Sequence, residues 1–330
     1  MTDHLARDGS TDAPDTLVVG AGGFLGRAVS RALTDSGARV LAARVPWDDP
    51  DAAVDALVDA VRAVRTPDRT WRILWCAGTG VVATGAAVFE AEQALVTRVL
   101  DTVRDDEAAT GTVFFASSAG AVYAGGAEPP FDEHSAPAPL APYGRAKLAE
   151  ETLFGDWSRA TGARLAIGRI SNLYGPGANL GKPQGLVSQL ALAHLEGRTS
   201  SIYVPMTTTR DYLYIDDAAA MVLELLDAVE QAPSGSIVTK VLASGRSATI
   251  ADVIGAVEAA FDAELDVEHG VDPSATFQGL DLRMRTRVLT AIDDRAFVPF
   301  AEGVDRTVRA LRAQHDGPDV PPGRPAPSGQ

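Results

Sequence analysis

The segment Thr16-Leu-Val-Val-Gly20-Ala-Gly-Gly-Phe-Leu-Gly26 constrains the fold of this chain more than any other. A short apolar run ending in glycine reads as a strand buried on both faces, as in a parallel sheet. A helical pattern begins at once over Phe24–Asp35, with Leu25, Ala28, Val29, Ala32 and Leu33 at helical spacing and Gly37 where a C-terminal glycine belongs. Glycines at 20, 23 and 26 allow a tight turn, close packing of helix on strand, and close approach of backbone N–H groups to an anion at the helix start. Leu25 stands where a G-x-G-x-x-G pattern would have its third glycine, so the spacing is G-x-x-G-x-x-G. In this strand-to-helix context the turn predicts dinucleotide binding by Gly20, Gly22, Gly23, Phe24, Leu25 and Gly26.

The same alternation continues along the chain. Arg39–Ala43 reads as a second strand, and Asp51–Val64 as a helix with Val54, Leu57, Val58 and Val61 on one face. Strands over Arg72–Ala77, Thr112–Ser117 and Arg164–Ile170 are separated by helices over Phe89–Val103 and Tyr143–Trp157. Such alternation predicts an α/β fold, a doubly wound parallel sheet with right-handed crossovers. After Asn172 the pattern loosens. Gly175–Gly185 is a Gly/Pro/Asn-rich loop, Leu186–Leu195, Asp216–Val229 and Ile250–Phe261 are helical, and Tyr212–Ile215 is a short strand. This half reads as a smaller C-terminal α/β substrate-binding lobe that returns to the sheet in places. The expected organisation is a disordered leader over 1–14, a dinucleotide-binding domain over 15–175, the lobe over 176–316 and a disordered tail over 317–330, the two ends being rich in Pro, Gly and Asp. No internal repeat is visible.

Composition removes several classes of function. The chain has 330 residues, enough for a substantial core, and its apolar runs fall short of the ~20 residues that span a bilayer. Met1–Asp15 is polar and lacks the features of a secretory signal, so a cytoplasmic protein is expected. A single cysteine excludes an internal disulfide framework, and Cys76, within Ile73–Ala77, reads as a buried small hydrophobe rather than a nucleophile. The net charge of −15, from 29 basic and 44 acidic side chains, disfavours nucleic acid and anionic membrane as partners. Only three lysines occur (Lys147, Lys182 and Lys240), so arginines must supply most contacts to any anionic ligand.

Tyr143 and Lys147 stand at i and i+4 behind Pro142 and project from one helix face. A phenol near pKa ~10 is a poor acid at neutral pH, and a neighbouring ammonium stabilises its phenolate. The serine pair Ser117–Ser118 tips the preceding strand. The second strand ends Ala42-Ala43-Arg44, with no acid before Asp48. An acid there would accept from the ribose hydroxyls of NAD, whereas arginine accommodates a 2′-phosphate, so Arg44 favours NADP(H) while NAD(H) stays possible.

In this order, Gly20–Gly26, Cys76-Ala-Gly78, Ser117-Ser-Ala-Gly-Ala-Val-Tyr123, Tyr143-Gly-Arg-Ala-Lys147, Arg169-Ile-Ser-Asn172-Leu-Tyr-Gly-Pro176 and Arg210-Asp-Tyr-Leu-Tyr-Ile-Asp216-Asp217 resemble the extended short-chain dehydrogenase/reductases. The resemblance runs from about residue 15 to about residue 310 and points to the branch of nucleotide-sugar epimerases, dehydratases and 4-ketoreductases. It implies a Rossmann-like sheet, with Ala77 and Gly78 after the fourth strand joining the glycine turn against the cofactor. Tyr143 would be the general acid/base, Lys147 would hold the nicotinamide ribose and lower the Tyr pKa, and a serine at the end of the fifth strand would bond the same substrate oxygen. Asn172 and Arg210 would contact a nucleotide-sugar diphosphate, with Arg283 or Arg285 as a second clamp. The helices at Phe89–Val103 and Tyr143–Trp157 would form a homodimer through a four-helix bundle.

Three departures from the family matter. Ala119 occupies the 4-epimerase serine position, so Ser118 is expected to act and Ser117 stays open. Ala119-Gly120 replace the Asp-Glu pair of sugar 4,6-dehydratases, so dehydration is not expected. The acidic adenine signature is not recognisable between Asp48 and Arg69.

Other polar and aromatic residues have plainer readings. His134 belongs to a surface loop, and His4, His194, His269 and His315 lack metal-ligand spacing, so no metal is expected. Asp216-Asp217 reads as helix capping, and Trp47, Trp71 and Trp75 as packing. The leading expectation is an NADP(H)-dependent oxidoreductase that reduces a keto group of a nucleotide-diphosphate sugar, with Tyr143 as acid. The alternatives are an NAD-dependent 4-epimerase, a reductase of a hydrophobic ketone, which Asn172 and Arg210 argue against, and a non-catalytic NADP-binding regulator.

Overall fold

Strand β1 (Asp15–Val19) is buried along its whole length and turns at Gly20–Gly23 into helix α1 (Phe24–Asp35). The helix closes as its sequence requires: Gly37, at φ 82°, donates to Thr34 O at 2.9 Å, and Ala38 donates to Leu33 O at 3.0 Å. The structure is a computed structural model and describes residues 14–67, 69–78, 80, 84–105, 111–181 and 185–316. Apart from Pro14, the expected disordered leader and tail lie outside the described residues.

The chain continues through β2 (Val40–Ala42), α2 (Pro50–Val64), β3 (Trp71–Trp75), α3 (Ala86–Thr102), β4 (Thr112–Ser118), a short α4 (Ala119–Val122), α5 (Pro142–Thr161) and β5 (Arg164–Ile170). Asp49 caps α2 by accepting from Asp51 N and Ala52 N, both at 3.1 Å. The doubly wound parallel sheet runs β2-β1-β3-β4-β5-β9, where β9 is Ile237–Leu242, in the register Val18↔Leu74↔Phe114↔Ala166↔Val238. One apolar core joins α1 to α7 (Ile215–Glu230) on one face, and a second joins α2, α3 and α5 on the other.

One expectation about strand number changes. Among the described residues α2 leads from β2 into β3 with no strand between them, so Cys76–Gly78 follow the third strand and Ser117–Ser118 end the fourth. β2 is a half-exposed edge of three residues, shorter than the expected Arg39–Ala43.

The second half also contributes to the sheet, through β9. It further comprises β6 (Asn172–Tyr174), α6 (Leu186–Leu195), β7 (Ser200–Ile202), β8 (Thr209–Tyr214), β10 (Ser247–Thr249), α8 (Ile250–Phe261), β11 (Val267–His269), β12 (Asp281–Leu282) and α9 (Phe300–His315). β8 is its centre, antiparallel to β10 and parallel to β12 and β6.

Three smaller readings are corrected. Trp71 and Trp75 are buried, but Trp47, past the edge strand β2, is 46% exposed. Asp216 and Asp217 lie inside the first turn of α7 and do not cap it; Asp217 accepts from Val298 N at 2.9 Å and Asp216 pairs with Arg31. Cys76 is half-buried rather than buried, and burial pushes its thiol up to about 12, too high for a nucleophilic thiolate. His134 is exposed, as expected.

Helix α5 is fixed to the sheet by a buried polar network. Arg169 of β5 donates to Glu151 Oε1 and Oε2 at 3.0 and 2.7 Å and to the Tyr123 hydroxyl at 2.7 Å, while Ser117 Oγ donates to Glu151 Oε1 at 2.6 Å. A buried ion pair that loses one member leaves an uncompensated charge. Glu151→Ala is therefore expected to destabilise the fold by about 3 kcal/mol or more, read as a lower denaturant midpoint. A loss of under about 1 kcal/mol would contradict this role for the network.

Candidate active site

The carboxyl ends of the parallel strands open into a cavity of about 800 Å³. The turn after β1 reaches its edge, with Gly23, Phe24 and Leu25 in the wall. Its glycines are there for space. A Cβ on Gly20 (φ 83°) would stand 2.6 Å from Ala77 N, and one on Gly26 would stand 2.1 Å from Gly20 O. Gly22 faces open space, and Gly23 starts α1 without a side-chain cap, so the first N–H groups of the helix have no side-chain partner. Arg27 fastens the turn by donating to Gly22 O and Gly177 O. This cradle fits the pyrophosphate of a dinucleotide.

Cys76, Ala77 and Gly78 continue the wall from the end of β3. Arg44 lies two residues past β2, whose Ala42 pairs with Val18 of β1, and so stands at the same carboxyl edge of the sheet. It is exposed and does not line the cavity.

Tyr143 and Lys147 face the cavity from the first turns of α5. The Tyr143 ring packs on Phe89 of α3 with centroids 5.8 Å apart. Ser118, at the tip of β4, lines the same cavity as Tyr143, opposes the burial that raises the phenol, and accepts from Ala121 N at 3.3 Å. Ser117 turns its hydroxyl into the Glu151 network. Both serines line the cavity, but side chains alternate along the strand and the Ser117 hydroxyl is committed to Glu151, which leaves Ser118 as the serine on the Tyr143 side.

Lys147 Nζ lies 6.0 Å from the Tyr143 ring centroid and 5.0 Å from that of Phe115, and it donates to Glu150 Oε2 at 2.8 Å. Burial lowers its pKa, but Glu150 first, with Tyr143 and Glu92, outweighs that and raises the ammonium above its ordinary value. Burial pushes the Tyr143 phenol up; Lys147 and Ser118 oppose this, while Glu150 and Glu92 add to it. Sequence reasoning does not single out Glu92 or Glu150. Glu150 has a signal, its i, i+3 spacing from Lys147, whereas Glu92 reaches the cavity only because α3 packs on α5.

Asn172 and Arg210 also line this cavity. Asn172 Nδ2 donates to Asp211 O at 3.1 Å. Arg210 is 8% exposed; its guanidinium donates to Thr209 O at 2.9 Å and Gln278 Oε1 at 3.4 Å, and among the described residues no carboxylate comes within ion-pairing distance. Burial lowers its pKa, with Tyr212 and Asp281 acting against that. A buried cation without a carboxylate partner is suited to an incoming anion.

Arg283 and Arg285 do not join this cavity. They are exposed, line a separate cavity of about 430 Å³ and pair with Asp281 and Asp132, at 2.8 and 3.5 Å. Strand β12 carries them outward as its short pairing to β8 ends at Leu282. Among the described residues no group of His, Cys, Asp and Glu could hold a metal, and no helix is long and apolar enough to cross a membrane.

Residues 16–239 match the NAD dependent epimerase/dehydratase family. The chain is 35% identical over 95 residues to the dTDP-L-rhamnose 4-epimerase of Burkholderia thailandensis, a match covering 28% of this chain and 26% of that protein. It is 26% identical over 204 residues to the dTDP-4-dehydro-6-deoxyglucose reductase of Escherichia coli, covering 61% of this chain and 62% of that protein. In both cases the match spans less than two thirds of the relative. The fold is similar to that of the Thermus thermophilus UDP-glucose 4-epimerase solved in complex with NAD, with a TM-score of 0.76 and 23% identity over 90% of this chain and 99% of that one. A family match over most of the chain, together with this Rossmann-like sheet, leads to one conclusion: the chain belongs to the NAD dependent epimerase/dehydratase family.

Proposed function

We propose that this protein is an NADP(H)-dependent reductase of a keto group on a nucleotide-diphosphate sugar. The observation that carries the reading is the make-up of one cavity, lined by the Tyr143 phenol, by Ser118 and by a buried Arg210 that has no carboxylate within ion-pairing distance among the described residues. The turn at Gly20–Gly26, with Ala77 and Gly78, would hold the dinucleotide, and Arg44 its 2′-phosphate. The bound nicotinamide supplies the hydride. The residues of the chain do the rest. Tyr143 gives its proton to the carbonyl oxygen as negative charge develops there, Ser118 bonds the same oxygen, and Lys147 stands beside the phenol to hold the nicotinamide ribose. Arg210 and Asn172 take the diphosphate and so fix the distance from sugar to phenol.

Dehydration is disfavoured by Ala119 and Gly120, which stand beside Ser118 and bring no carboxylate. A 4-epimerase is the second reading, favoured by the first relative, and it requires the nicotinamide to stay bound between half-reactions. An uncharged ketone leaves Arg210 without a purpose. A homodimer through α3 and α5, which pack on each other, and a division of the chain near residue 175 complete the proposal.

Three outcomes test it. Tyr143→Phe lowers the rate of NADPH oxidation with a dTDP-4-keto-6-deoxy sugar by about 100-fold or more while NADPH binding by fluorescence is kept; unchanged turnover contradicts the role of the phenol. Arg44→Asp weakens NADP(H) by about tenfold or more and NAD(H) far less, in titration calorimetry; equal loss for both contradicts the 2′-phosphate contact. Arg210→Leu raises KM for the nucleotide sugar, and Ki for the free nucleoside diphosphate, by about tenfold or more; an unchanged Ki contradicts the diphosphate site.

A further inference from the structure

Lys147 is bonded to one carboxylate and has a second nearby from another helix. Glu150, one turn on along α5 and 3% exposed, accepts from Lys147 Nζ at 2.8 Å. Glu92 comes from α3 on the cavity side and is half-buried. A methyl placed on Gly78 would stand 3.6 Å from both Glu92 Oε1 and Lys147 Nζ, so the two groups converge over the same glycine. The titratable and polar groups that face Lys147 and Tyr143 are therefore Glu150 from α5, Glu92 from α3, Ser118 from the end of β4 and Cys76 from the end of β3. Of these, Glu150 and Glu92 bring carboxyl groups; burial raises that of Glu150 and Lys147 opposes it, while burial pushes the Cys76 thiol up to about 12.

An ammonium alone beside a phenol favours the phenolate, which is the form needed to take a proton from a sugar alcohol. Two carboxylates around one ammonium leave a net negative surrounding and favour the neutral phenol, the form that gives a proton away. We propose that Glu150, which holds the Lys147 ammonium, and Glu92, which converges on it from α3, are positioning residues that offset its charge, so that the site keeps the Tyr143 proton for delivery to a carbonyl oxygen. The inference deepens the reductase reading and rests on it for the role of Tyr143. Glu150 also fixes where the ammonium sits, because a buried ion pair of this length leaves the lysine little rotameric freedom.

The test uses the full chain without cofactor or sugar. The Tyr143 titration is the part of the absorbance rise at 295 nm that is missing from Tyr143→Phe, and it is measured in the wild type, in Glu150→Gln and in Glu92→Gln, each against its own Tyr143→Phe partner. Removing a negative charge near the phenol favours phenolate, so the midpoint must fall. The expected fall is about one pH unit or more in Glu150→Gln, a tenfold change, with a smaller fall in Glu92→Gln. Midpoints that coincide with the wild type overturn the inference. If Glu150→Gln does not fold, the half-buried Glu92→Gln alone decides, by the same sign. Because no substrate is involved, a fall in midpoint in a protein that reduces no keto-sugar supports the tuning while the reductase reading fails. An unchanged midpoint in an active reductase does the reverse.

Discussion

Helix α5 carries two consecutive buried carboxylates, and each meets a different cation. Glu151 points down onto the sheet and takes the Arg169 guanidinium and the Ser117 hydroxyl. Glu150, about 100° further round the helix, points to the cavity wall and takes the Lys147 ammonium. The first pairing locks the rotation of α5 relative to β4 and β5. With the rotation fixed, Tyr143 must face the cavity, and with Ser117 engaged below, Ser118 is the serine on the Tyr143 side. Stability and chemistry thus depend on one orientation, enforced by charges that are costly to leave unpaired.

Much of this is legible in the chain because local rules agree with the global fold. The strand, glycine turn and helix at Thr16–Asp35 are fixed by an apolar run, by glycines that a Cβ would block, and by a helix end that closes on Gly37. The Tyr143, Lys147 and Ser118 grouping follows from helix spacing and strand alternation. Strand β9 escapes sequence reasoning for a physical reason. Lys240 interrupts its apolar run, yet it is completely buried, satisfied by Val288 O at 2.8 Å and Asp293 at 2.9 Å, partners some fifty residues away in sequence. No local pattern announces such a partner. Glu92 and the outward course of Arg283 and Arg285 are hidden in the same way, since helix packing and strand pairing decide them.

The β2 edge of the sheet differs in character from the side of the cavity between α3 and α5. The sheet stops at β2, a three-residue strand, and the residues beyond it leave Trp47 and Arg44 exposed. The chemistry end, by contrast, is walled by α3, α5 and the ends of β3 and β4, where Phe89, Phe115 and the two glutamates restrict both the phenol and the ammonium. Restricted motion and reduced water are what a proton donor needs.

The central claim is that one cavity holds a dinucleotide against Tyr143 and a diphosphate against Arg210. A crystal structure with NADP⁺ and a nucleoside diphosphate tests it most directly. The account predicts pyrophosphate over the Gly20–Gly26 turn, the nicotinamide beside Tyr143, Ser118 and Lys147, and the second diphosphate on Arg210 and Asn172. A dinucleotide lying away from Tyr143, or a diphosphate held by Arg283 and Arg285 in the separate cavity, would contradict it.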